Sequence, residues 1–162
     1  MSAVRFIPNM SRLAKAMTGP GGKLVSEAID DADAGLKLLT PPGVGAIDSA
    51  LDAILATVAA PGPLTAEMRE TVYREVNHIN ATGALFGLAG MGKAAWSLCE
   101  VIDLLETDLP SGRPAIDAHV RSLRILRSGE LLPAAEGEAL LAGLASLLAH
   151  IRTEAARRQS AG

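Results

Sequence analysis

TVYREVNHINATGALFGLAGMGKAAWSLCEVIDLLE, residues Thr71 to Glu106, reads as two amphipathic helices joined by a glycine-punctuated bend. In its first half Val72, Val76, Ile79, Gly83 and Phe86 recur at intervals of three and four, so they form one narrow stripe on a helix and belong to a core. At 100° per residue, Arg74, Asn77, His78 and Ala81 fall on the opposite side and face water. In the second half Met91, Ala94, Ala95, Leu98, Val101, Ile102 and Leu105 keep helical spacing, with Lys93, Glu100, Asp103 and Glu106 off the stripe. A short bend between two such helices makes them antiparallel neighbours, and the expected interior holds Val76, Ile79, Phe86, Leu98, Ile102 and Leu105.

Outward from this pair, proline and glycine divide the rest of the chain. Residues 1–22 carry Pro8, Asn9 and Thr18-Gly-Pro-Gly-Gly22 and read as an irregular arm that could pack on the domain or on a second copy, as in a homodimer. The spacing predicts a helix from Lys23 to Leu39, stopped by Pro41-Pro42, and another from Val44 to Ala59, stopped by Pro61-Gly62-Pro63. Thr65 is placed to cap the next helix, with Glu67 and Glu70 at its positive end. Beyond Leu109-Pro110-Ser111-Gly112 the pattern gives a helix from Arg113 to Ser128, ended by Gly129, and a last one from Ala134 to Arg157 with Pro133 at its start. No strand signal or repeat is visible. The expected fold is therefore all-α, an antiparallel bundle of about six helices: one domain over 23–158, with a loose tail at 159–162.

Composition narrows the classes of function. Of 162 residues, 49% are hydrophobic and only 2% aromatic, so the core must be aliphatic and alanine-rich. A net charge of −3 gives no electrostatic footprint for nucleic acid. Cys99 is the single cysteine and lies on an apolar helix side, which excludes a disulfide framework and reads as an inert buried thiol in a reducing cytoplasm. The longest late apolar run, Ala139 to Ile151, is too short for a bilayer span of about 20 residues, so no membrane is expected as a partner. Gly87 to Ala94 fits GxxxxGK, but Ala94 stands where a hydroxyl must hold magnesium and a helix precedes it where a strand should, so a nucleotide cofactor is not expected. His78, His119 and His150 lie on different predicted helices with no paired ligand spacing, so no metal is expected, and His119 and His150 read as surface or half-buried packing residues. The carboxylates of Asp30, Asp31 and Asp33 read as a solvated rim.

Asn77-His-Ile-Asn-Ala-Thr-Gly-Ala-Leu-Phe-Gly87, followed by Ser97-Leu98-Cys99, resembles the signature of the histidine-containing phosphotransfer (HPt) domain family. More specifically it looks like the alphaproteobacterial branch, whose segment runs roughly H-D-I-R-G-Q-G-G-T-F-G with a later S-L-C. Ile79, Gly83, Phe86 and Gly87 match, and the likeness extends to the opening VRFIPN, to GPGG at 19–22 and to IDAHV at 116–120. The resemblance implies a four-helix phosphotransfer core with additional helices. It also implies a partner that is a response-regulator receiver domain or a histidine kinase, and no nucleotide hydrolysis by the chain itself.

The departures carry as much meaning. In the ungapped register Asn77 occupies the place of the phosphorylated histidine, Asn80 that of the basic residue and Ala81 that of the glycine, while His78 is one residue away. An amide has no basic nitrogen to attack a phosphoryl group, whereas a neutral imidazole does. One helical step also turns a side chain by about 100°, enough to spoil in-line transfer from a receiver aspartate unless the partner docks differently. The favoured reading is a degenerate, non-enzymatic binding module with Arg74, Asn77, His78, Asn80, Ala81 and Ala84 as its partner-binding strip. An active phosphocarrier working through His78, and a structural or dimerisation domain outside signalling, stay open as alternatives.

Overall fold

Apolar residues at helical spacing must be covered by other helices, and in the computed structural model they are. It describes residues 22–60, 62, 64–105, 112–128 and 133–160. Among these are five α-helices and no strand: α1 (Val25–Ala59), α2 (Ala66–Gly83), α3 (Ala89–Leu104), α4 (Gly112–Ser128) and α5 (Ala134–Gln159), with a 3-10 turn at Ala84–Phe86. The protein is an all-α helical bundle. Predicted features at residues 1–21, 106–111, 129–132 and 161–162 lie outside the described residues, as do Pro61 and Pro63.

The start of α2 and its end both have sequence causes. Thr65 has extended backbone and its Oγ1 accepts a hydrogen bond from the Met68 amide at 3.2 Å, which satisfies one of the orphan donors of the first turn. At the far end the chain tightens into the 3-10 turn and reverses at Gly87, whose φ of 77° is left-handed and favours glycine. The reversal lays α3 back along α2. Gly83, near the end of α2, meets the backbone of Gly92 in the first turn of α3, and the Arg69 guanidinium near the start of α2 donates to the Leu105 carbonyl at 2.5 Å. The pair is antiparallel, as the short bend requires.

α3 is the central helix among α2 to α5. It contacts α2, α4 and α5, and Met91, Gly92, Ala94, Ala95, Ser97, Leu98, Cys99, Val101 and Ile102 are all buried. The Gly-Ala-rich face lets neighbours come close, and the predicted interior residues Val76, Ile79, Leu98, Ile102 and Leu105 are inside. α4 runs back along α3, with Gly112 against Leu105, His119 against Ser97 and Leu126 against Gly90. α5 turns again and therefore runs parallel to α3, joined to it by the Arg152–Glu100 ion pair. The later part of α1 adds Ile47, Leu51, Ile54 and Val58 to the core and is tied to α4 by the Arg127–Asp48 ion pair. Arg113 at the start of α4 also donates to the carbonyls of Val58, Ala60 and Gly62.

Three expectations are corrected. The helices predicted separately at 23–39 and 44–59 are one helix of 35 residues with Pro41 and Pro42 inside it. Each proline removes an amide that would have bonded four residues back, but residues 36–39 and both prolines are exposed, so water can reach the carbonyls left over. The boundary between two compact units falls between Leu39 and Thr40. Phe86, expected inside, is half-buried, with its ring where a Cβ on Gly43 would fall. His119, expected as a surface or half-buried packing residue, is fully buried. As for membranes, α1 and α5 are long and apolar enough by length and composition alone to cross one, a test that core helices of soluble proteins also pass.

Candidate functional site

The strip predicted on α2 is laid out by its helical period. With Val72, Val76, Ile79 and Gly83 buried against α3, the residues on the other side turn outward: Arg74, Asn77, His78 and Ala81 are exposed. Asn80 is half-buried at the edge, and Ala84, one residue beyond α2, is exposed. Asn77 and His78 thus both stand on the open face. Thr82 Oγ1 donates back to the His78 carbonyl at 2.7 Å, an intrahelical bond that leaves the imidazole itself uninvolved.

Charge around the strip is sparse. Arg74, the cation one turn before His78, is turned to its neighbour Glu75, with Nε to Oε1 at 2.9 Å. In this arrangement two of its guanidinium nitrogens are directed at the Glu75 carboxylate. Asn80 brings no charge where a basic residue would follow. A further cation, Lys93 near the start of α3, lines the same groove as Asn80 and Ala84.

That groove has a volume of about 550 Å³ and lies between the end of α2, α3 and α5. Leu141, Leu144 and Leu148 of α5 form one wall, small residues of α3 the other, and the half-exposed Trp96 its edge. Ser97 contributes its floor.

Ser97 leads to a polar pair that the sequence reading missed. Its Oγ lies 2.9 Å from His119 Nε2, and His119 Nδ1 lies 2.8 Å from the Ala115 carbonyl. A carbonyl can only accept, so Nδ1 carries the proton, Nε2 is the acceptor and the Ser97 hydroxyl donates to it. Burial holds the imidazole pKa below its ordinary value, partly offset by the bond to Ala115, so the ring is neutral near pH 7. The pair fixes α3 against α4 with every polar atom used. The signal that could have found it is local: His119 falls in the stripe of Ala115, Ile116, Val120 and Leu123, which predicts burial, whereas a partner 22 residues away leaves no periodic trace.

Cys99 is buried as expected, and its thiol pKa is pushed up to about 11, first by burial and then by the charge of Asp103. It is an inert packing group rather than a nucleophile. The glycines of the GxxxxGK match take separate parts. Gly87 alone has positive φ, while Gly90 and Gly92 lie within α3 facing Leu126 and Asn80. His78, His119 and His150 stand on α2, α4 and α5 respectively.

Compared with known proteins, the chain matches no family model, no curated protein and no solved structure.

Proposed function

We propose that this protein is a pseudo-phosphotransfer module of HPt type, which docks a response-regulator receiver domain or a histidine kinase in the cytoplasm and passes no phosphate itself. The observation that carries the reading is the open face of α2, where Asn77, His78 and Ala81 stand together opposite a fully buried stripe. Small Ala81 and Ala84 leave room for a partner's loop. Asn77 in the histidine place and Asn80 in the basic place argue against a stable phosphorylated state. The exposed imidazole of His78 keeps one chemically specific alternative alive, a phosphocarrier in a shifted register. The exposed Val25, Ile29, Leu36 and Leu39 favour a different one, a dimerisation element with no role in signalling.

The test is a titration of labelled protein with a panel of receiver domains and kinases from the same organism. At least one should bind, and Ala81→Arg should weaken that binding about tenfold or more while leaving the circular dichroism spectrum and melting unchanged. Equal binding by wild type and variant removes the strip from the interface. In the same mixtures, with phosphorylated receiver or active kinase, no acid-labile label should appear on the protein. Label abolished by His78→Gln but retained by Asn77→Ala would instead make His78 a working phosphocarrier. In the converse experiment, Asn77→His combined with Asn80→Arg and Ala81→Gly should create transfer where there was none.

A further inference from the structure

The groove between α3 and α5 differs chemically from the docking strip. Its floor and walls are almost wholly apolar, and its volume of about 550 Å³ falls within the range of small-molecule sites, roughly 300–1,000 Å³. Polar atoms enter it at few points. The Ser97 hydroxyl already donates to His119 and has little left to offer. Lys93 and Asn80 at the rim make no side-chain hydrogen bond or ion pair among the described residues, and no acidic side chain lines the groove. The first turn of α3 opens on the same rim through Ala89, and its N-cap position, Leu88, supplies no side-chain cap. An uncapped helix start and an ammonium group therefore place positive potential at one end of a long apolar trough.

We infer that this groove binds an aliphatic carboxylate, with the chain laid along Leu141, Leu144 and Leu148 and the carboxylate at Lys93. A single compact ammonium with one amide beside it suits a singly charged head group, and leucine side chains suit an unbranched hydrocarbon. The groove shares Asn80 and Ala84 with the docking strip, but its hydrocarbon wall belongs to α5 and its test needs no receiver.

Trp96 is the only tryptophan in the chain and stands at the edge of the groove, so its emission reports directly on occupancy. Decanoate, titrated below its micellar range, should change that emission saturably. Octanoate should bind roughly tenfold more weakly, as expected for two fewer buried methylenes, and acetate should have no effect. Decyltrimethylammonium should bind more weakly than decanoate. Lys93→Gln should weaken decanoate about threefold and Lys93→Glu about tenfold. Ala145→Phe, at an exposed groove position, should block binding by filling the trough. A linear, non-saturating response to decanoate, equal binding of the cationic amphiphile, or unchanged decanoate affinity in Lys93→Glu overturns the proposal. Loss of receiver binding in Ala81→Arg with decanoate binding intact would separate the groove from the strip.

Discussion

His119 is kept neutral by burial inside a helical interface, where two hydrogen bonds orient its ring, so its protonation is coupled to folding. Its folded pKa lies below 6.5, the ordinary value that it regains on unfolding. As pH falls through 6.5 the unfolded chain takes up a proton before the folded one does, so the unfolded state gains and stability declines until the folded pKa is reached. Stability from this residue is therefore complete above 6.5 and lost toward acid. Chemical denaturation at pH 7.5 and pH 5 should show wild type weakening more than His119→Gln, which has no proton to gain; parallel losses in both would remove His119 as the source. Ser97→Ala should destabilise at neutral pH by about 1–3 kcal/mol, because it leaves the buried Nε2 without its donor.

Among the elements, the crossing of α2 and α3 rests on Gly83. A Cβ there would lie 3.1 Å from the Leu88 carbonyl oxygen and 3.2 Å from the Gly92 amide nitrogen, both backbone atoms that cannot rotate away. In a free helix alanine is favoured over glycine by about 1 kcal/mol, but forcing two backbones apart costs about 1–3 kcal/mol, so Gly83→Ala should lower the unfolding midpoint. A gain in stability would mean that the two helices adjust freely. The stripe of Val72, Val76, Ile79 and Gly83 was legible because a helix buries every third or fourth residue, and Thr65 because a hydroxyl before a helix has one obvious task. Local rules read Pro41-Pro42 as a helix end because they weigh the missing amides and cannot see that the stranded carbonyls face water. Carrying the α2 period past Gly83 places Phe86 inside, but there the backbone has already tightened into a 3-10 turn. The candidate strip followed from the same stripe by subtraction. The groove did not, since Lys93 and Leu144 come together only when α3 and α5 pack, and no spacing along the chain records that.

At the scale of the whole molecule, the division between Leu39 and Thr40 yields a prediction about independent folding. Every buried apolar residue among those described, from Ile47 to Ala155, lies beyond that boundary, whereas Leu24, Val25, Ile29, Leu36, Leu38 and Leu39 before it are exposed. A fragment starting at Thr40 therefore keeps the whole described core. Its new end also suits a helix. Thr40 becomes available as an N-cap, Pro41 falls at the first helical position and Pro42 at the second, where amides have no intrahelical partner to lose. The two prolines that interrupt the hydrogen bonds of a 35-residue helix become a favourable start for a shorter one. The fragment should unfold in a single cooperative transition with a midpoint within about 5 °C of the full chain, a shift worth about 1 kcal/mol. It should also be the more soluble of the two, having shed a row of exposed aliphatic side chains. A broad, non-cooperative melt, or a midpoint lowered by far more than this, would show that residues before Thr40 contribute to the bundle's own stability. Retained receiver binding by the fragment would then locate the docking function in the bundle, and its loss from a well-folded fragment would move that function to the exposed first half of α1.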